Sequence, residues 1–127
     1  MDTIKASLSD AEREALRVLW DHGPGTVRQV LDLITERGRS WVYSTVATLL
    51  RRLESKGYAA SEPDGGMLVY RAAVSREDLL GRRLRDAAEE LCDGATAPLV
   101  LALVQGNRFT SEELDRIRRM IDDSRKK

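Results

Sequence analysis

The turn sequence Pro-Asp-Gly-Gly at 63–66 most constrains this chain, because it joins two short extended segments and follows three helix-like ones. Asp-Gly between extended runs is a strong signal for a β-hairpin. We predict its strands at 58–62 and 67–72. A chain with this order has to pack a small hairpin against three helices.

Apolar spacing and helix-start signals place the three preceding helices. Ser9 with Glu12, and Thr26 with Gln29, match the capping box, in which each side chain satisfies a free backbone N–H of the first turn. Apolar residues recur at i, i+3, i+4 and i+7, as expected for amphipathic helices. We predict helices at 10–21, from 26 to the glycine at 38, and at 42–56. The expected buried stripe of the third helix is Val42, Val46, Leu49, Leu50 and Leu53.

The second half of the chain is predicted to be helical throughout. Ser75 begins a helix that Asp93-Gly94 ends, a second runs from Pro98 to about 106, and a third follows a capping box at Thr110. Three helices and a hairpin, in that order, indicate a winged helix. We therefore predict a mainly α (α+β) chain with a winged-helix domain at 7–74 and a helical dimerisation domain at 75–127.

Composition argues against several classes of protein. One cysteine and one histidine cannot form a Cys/His metal cluster. The chain has no phosphate-binding glycine loop and no convincing acid/base pair, so we expect neither an enzyme nor a cofactor. No stretch is apolar enough to enter a membrane, and the first ten residues lack the apolar core of a signal peptide, which predicts a cytoplasmic protein.

Charge is balanced over the chain but not locally. Twenty-one Lys and Arg match 21 Asp and Glu, whereas residues 39–56 hold four cations against Glu54 alone, a local net charge of +3. A local excess of this kind is enough to meet phosphates.

The third helix has a free face suited to double-stranded DNA. Short hydroxyl side chains at i, i+1 and i+4, with an arginine at i+8, allow close approach to a major groove, and the arginine can reach a guanine edge or a phosphate. For any one of these residues taken alone, an ordinary solvated helix face is an equally good interpretation. The predicted DNA-binding residues are Ser44, Thr45, Thr48, Arg51, Arg52, Tyr43 and Lys56.

The C-terminal helices carry more apolar surface than they can bury by themselves. Burial against a second copy would cover it, and a two-fold dimer would present two third helices to a two-fold-symmetric DNA site. The residues predicted for dimerisation are Leu99, Leu103, Leu114, Ile117 and Ile121.

A second hypothesis is a winged-helix module that binds proteins and not DNA. The zero net charge and the acidic hairpin turn favour it. The two hypotheses differ in salt dependence, because DNA binding weakens steeply with salt through counterion release.

The run STVATLLRRLESKG at 44–57 resembles the recognition-helix signature of the BlaI/MecI/CopY penicillinase-repressor family, and the similarity extends over about 7–125. The resemblance implies a homodimeric repressor that binds a dyad operator. It also implies that the family's DNA-contacting positions fall here on Ser44, Thr45, Thr48 and Arg52.

The chain departs from the family in three places. The hairpin turn, often basic in the family, is acidic here and has no cation before Arg71. The single Cys92 cannot supply the cysteine cluster of copper-responsive members. In the β-lactam branch a membrane sensor protease is the partner that leads to cleavage, at an Asn-Phe bond. The matching bond in this chain is Ala102-Leu103.

Overall fold

The computed structural model describes residues 7–126. Residues 1–6, part of the stretch considered above as a signal peptide, and Lys127, the last residue of the predicted dimerisation domain, lie outside this description. The described chain forms two compact units, the first ending at Leu79 and the second beginning at Leu80. The domain boundary expected at 74/75 stays a prediction. The elements in chain order are α1 (Asp10–His22), α2 (Val27–Glu36), α3 (Tyr43–Ser55), β1 (Ala59–Asp64), β2 (Met67–Ala72), α4 (Arg76–Cys92), α5 (Ala97–Gly106) and α6 (Ser111–Arg125).

Both capping boxes expected in the first half are present. The Ser9 hydroxyl accepts from the Glu12 N–H at 3.1 Å, and the Glu12 carboxylate accepts from the Ser9 N–H at 2.8 Å. Thr26 and Gln29 make the same pair of bonds at 3.2 and 2.9 Å. Each cap contributes about 1 kcal/mol, so these residues determine where α1 and α2 begin.

The core of the first unit lies where the stripes of α1, α2 and α3 meet the hairpin. Its fully buried members include Leu16, Ile34, Leu50 and Tyr58, and both tryptophans are partly buried and pack against it. The prediction for Val42 was wrong, since its side chain is 61% exposed. Val42 is the N-cap of α3 and has an extended backbone, so its side chain falls off the helical stripe.

The hairpin turn is shorter than its sequence predicted. Pro63 and Asp64 continue β1, opposite Leu68 and Met67, and only the two glycines at 65 and 66 form the turn. Their φ angles are +60° and +83°, as in the two-residue turns whose twist matches that of the flanking strands. In a two-stranded sheet Pro63 is always at an edge, where a missing N–H costs little.

The second unit consists of helices that bury little of their apolar surface. The turn at Asp93 and Gly94 has positive φ at both residues, and Thr110 with Glu113 forms the expected capping box. No residue of α5 or α6, as described, is buried. No helix in the described part of the chain is both long and apolar enough to cross a membrane.

Candidate nucleic-acid interface

The structure brings four of the predicted DNA-binding residues together on the outer face of α3. Ser44, Thr45, Thr48 and Arg52 line a shallow depression of about 270 Å³ with Leu49 at its base. The stripe that anchors α3 in the core, around Val46 and the leucines, leaves this face outside. A surface of short side chains with a guanidinium at one end fits the demands of a major groove.

Tyr43 and Arg51 lie on a different side of α3, next to the hairpin. They line a groove of about 370 Å³ whose opposite wall is β2, including Met67 and Leu68. The Arg51 guanidinium also donates to the Thr48 hydroxyl at 3.3 Å, which links this groove to the outer face.

Lys56 points away from this face and has partners of its own. Its ammonium donates to the Glu12 carboxylate at 2.7 Å and to the Ser7 carbonyl at 2.9 Å. The Glu12 side chain is buried. Contact between Lys56 and a phosphate would break a buried ion pair, so the structure gives this residue a role inside the fold.

Ion pairs with α1 also reduce the local charge excess of the sequence. Arg39 donates through Nε to both oxygens of Glu14, at 3.1 and 2.9 Å. Two of the four cations counted between 39 and 56 are thus neutralised by carboxylates outside that segment. Across residues 7–126, neither Arg51 nor Arg52 forms an ion pair, so these two keep their charge available.

Burial and hydrogen bonding oppose each other at Glu12. Burial raises the pKa of its carboxyl, but the Lys56 ammonium and the Ser9 backbone and hydroxyl donors outweigh it, so the pKa is lowered overall. The group is therefore a carboxylate at neutral pH and holds the two helix ends together.

A second carboxylate fixes the hairpin against α3. Glu54 accepts from the Ser61 N–H at 3.0 Å and from the Ser61 hydroxyl at 2.8 and 2.9 Å. Burial, and then the Glu54 charge, raise the pKa of Tyr70, which packs beside it. The hairpin is tied to the start of α2 as well, because Gly25 and Tyr70 exchange backbone hydrogen bonds at 2.9 and 2.8 Å. Hairpin and α3 thus form one surface.

Sequence reasoning missed the hairpin's share of this surface. From the sequence, an apolar residue such as Leu68 in a short strand would be assigned to the core. In the structure Leu68 is exposed and lines the groove beside α3. Counting strand alternation outward from the turn could have placed it.

The family model of the penicillinase repressor matches residues 8–123, nearly the whole chain. This chain belongs to the penicillinase repressor family.

Individual relatives of the repressor agree with this assignment. This chain is 31% identical to the transcriptional regulator BlaI of Mycobacterium tuberculosis, over 90% of this chain and 82% of the relative. It is 22% identical to the penicillinase repressor of Bacillus licheniformis, over 91% and 90% of the two chains. Among solved structures, the DNA-binding domain of the repressor BlaI is similar with 29% identity and a TM-score of 0.52, covering 61% of this chain and 93% of that one.

The repressor is therefore a DNA-binding transcriptional regulator with a winged helix, and it is not an enzyme. Family membership favours this interpretation over the alternative of a protein-interaction module without DNA binding.

Proposed function

We propose that the repressor binds a dyad operator as a homodimer, with α3 of each copy in a major groove. The observation that carries this proposal is the outer face of α3, where three hydroxyl side chains and an unpaired Arg52 lie together. Such a face both fits a groove and offers donors to base edges.

Each residue of the face has a role that follows from its length and position. Ser44, Thr45 and Thr48 are short, so the helix backbone can come close to the bases. Arg52 reaches either a guanine edge or a phosphate, and Arg51 with Tyr43 is placed for the phosphates beside the groove. Lys56 is left out of the proposed contacts, because it is engaged by Glu12.

The proposed dimer interface is formed by α5 and α6. Their apolar side chains are exposed in the single chain, with Leu103 and Ile121 each at 48%. Exposed aliphatic surface of this density is rare on a monomer and typical of an interface. The proposed interface residues remain Leu99, Leu103, Leu114, Ile117 and Ile121. A two-fold pair would read the two half-sites of a dyad.

Release from DNA is proposed to follow proteolysis, with a membrane sensor protease as the partner. The bond at Ala102-Leu103 lies inside α5. A protease binds an extended strand, so α5 has to unwind locally before this bond can be cleaved. Such a repressor acts in the cytoplasm, where its DNA is.

The test is a fluorescence anisotropy titration with the DNA upstream of the repressor's own gene, repeated at several salt concentrations. We expect saturable binding that is tighter than to random DNA of equal length and that weakens with salt. The proposal would be rejected by equal affinity for both DNAs in this titration together with no enriched site in a genome-wide selection. That result would favour the interaction module.

A further inference from the structure

The segment between the hairpin and α4 is bound to α1 by three contacts of different kinds. The Trp20 indole N–H donates to the Val74 carbonyl at 2.8 Å. The Arg76 guanidinium donates to the Asp21 carboxylate at 2.8 Å and lies 5.1 Å from the centroid of the Trp20 ring. We call Trp20, Asp21, Val74 and Arg76 the junction cluster. It joins the last turn of α1 to residues that stand 54 and 55 positions later in the chain.

Apolar burial holds the same segment in place. Val74 and Leu79 are only 6% and 8% exposed, and both belong to the core of the first unit. Between them, the Ser75 hydroxyl accepts from the Asp78 N–H at 3.0 Å and caps the first turn of α4. The segment 74–79 is therefore a fixed part of the first unit, which ends at its last residue.

The chain leaves the first unit inside a helix. α4 runs from Arg76 to Cys92, and the second unit begins at Leu80, just after the first turn of that helix. A helix is stiffer than a flexible linker of equal length, in which each residue is free to rotate. A constraint on the second unit therefore reaches α1, α2 and α3 through the first turn of α4 and the contacts that hold it.

The polar contacts of the junction cluster restrict orientation more than they add stability. The side chains of Arg76 and Asp21 are 52% and 38% exposed, and an ion pair at such exposure contributes little to the free energy of unfolding. A planar guanidinium, however, can stack on an aromatic ring and bind a carboxylate with its N–H edge at the same time. Arg76 makes both contacts, so its position on α1 is defined in two directions.

We propose that Trp20 and Arg76 are positioning residues, which make operator affinity depend on the spacing between the two half-sites. This inference rests on the proposed function and adds how dimerisation is transmitted to α3. Two linked binding modules gain most affinity when a stiff link matches the distance between their sites. They gain less, over a wider range of distances, when the link is loose. Without the polar contacts, only burial at the edge of the core would hold the first turn of α4.

The experiment measures how much more tightly a dyad is bound than a single half-site. The probes are the dyad that footprinting finds upstream of the repressor's own gene, its isolated half-site, and the dyad with about five base pairs inserted, which is half a turn of B-DNA. Anisotropy titrations compare the unmodified repressor with Trp20→Phe/Arg76→Gln. The first change keeps a ring but removes the indole donor, and the second removes both the ion pair and the stacked cation.

The double variant should lose spacing selectivity and keep everything else. For the unmodified repressor we expect the dyad to be bound roughly 10²- to 10⁴-fold more tightly than the half-site, and the insertion to remove most of this gain. In the double variant the gain should fall by about tenfold, and the insertion should remove a smaller part of it. Half-site affinity and self-association in analytical ultracentrifugation should be unchanged.

Arg37→Gln is the matched control. Arg37 binds the same Asp21 carboxylate at 2.7 Å, but it is the C-cap of α2 and lies outside the segment 74–79. Its loss removes an ion pair from the same network, yet the ratio of dyad to half-site affinity and the effect of the insertion should stay as in the unmodified repressor. Should the double variant fail to fold, Arg76→Gln alone takes its place, because that side chain is half exposed.

Three outcomes would overturn the inference: unchanged affinity ratios in the folded variant, a fall in half-site affinity equal to the fall in dyad affinity, or an equal change of the ratios in Arg37→Gln. The second outcome would reduce the cluster to a purely structural role. Failure of the proposed function is distinguishable, since the unmodified repressor itself would then show no preference for the dyad over random DNA.

Discussion

The ammonium of Lys56 lies 2.7 Å from the carboxylate of Glu12, so the end of α3 is tied to the beginning of α1. Glu12 is at the same time the reciprocal partner of Ser9 in the cap of α1. Its carboxylate is only 2% exposed, and hydrogen bonds from both neighbours replace the water it has lost. One buried group thus fixes the start of α1 and the position of α3 relative to it.

Removal of the Lys56 ammonium should destabilise the fold without removing a contact to a DNA phosphate, because the ammonium is engaged by Glu12. In Lys56→Met the carboxylate of Glu12 keeps its Ser9 donors but loses its counter-charge. We expect a loss of about 1–3 kcal/mol in the free energy of unfolding, measured by urea denaturation. The salt slope of operator binding should stay the same.

The double variant Glu12→Gln/Lys56→Met separates this effect from a general packing defect. Its loss in free energy of unfolding should be smaller than the sum of the losses of the two single variants. When both groups are changed, no unpaired charge is left buried. If the salt slope of operator binding is instead lower by about one in Lys56→Met, the phosphate contact predicted for Lys56 from the sequence would be supported.

Asp21 should make the stability of the first unit depend on acidity. The Arg76 guanidinium, at 2.8 Å, and then that of Arg37, at 2.7 Å, hold the pKa of this carboxyl at about 2, below its ordinary value of 3.8. Because the pKa is lower in the folded chain, the stabilisation is complete above about pH 4 and is lost as the pH falls towards 2.

Thermal melting between pH 7 and pH 2 checks this expectation. The gap in melting temperature between the unmodified repressor and Asp21→Asn should be constant down to about pH 4 and then close. A gap that persists undiminished at the acid end would show that the ion pairs with Arg37 and Arg76 do not carry the effect.

Arg52 should contribute to operator affinity, and another exposed arginine elsewhere on the first unit should not. We expect Arg52→Ala to weaken binding by about 1–3 kcal/mol if it contacts a base edge, with dimerisation unaffected. Arg17→Ala is the matched control, because Arg17 is an exposed cation of α1 outside the proposed interface. If both variants change affinity and salt slope equally, Arg52 would act only through its positive charge and would not make a specific contact with a base.

A charge placed on α5 should prevent the proposed dimer from forming without unfolding the first unit. Leu103 is half exposed in the single chain, so Leu103→Asp costs little there but would bury an unpaired carboxylate in a dimer. We expect a monomer in analytical ultracentrifugation and a large loss of operator affinity. Arg108→Asp, just beyond α5, is the control for added negative charge, and it should remain dimeric.

Local patterns in the sequence determined the elements of this protein. Capping boxes at Ser9, Thr26 and Thr110, and glycines at the turns, act over three or four residues, so the helix starts could be predicted from neighbours in the chain. The same holds for the hydroxyl face of α3, since helical spacing alone places Ser44, Thr45, Thr48 and Arg52 side by side.

Tertiary structure decided which charges and which hairpin residues are available to a partner. Glu12 is 44 residues from Lys56, and Glu14 is 25 residues from Arg39, so no local pattern could show that these two cations are already paired. In the sequence, the acidic turn argued against DNA binding. Only the strand register shows that Glu62 and Leu68 lie on opposite faces of the hairpin. Side-chain partners across long loops depend on how the helices pack, whereas caps and periodicity depend only on the chain itself.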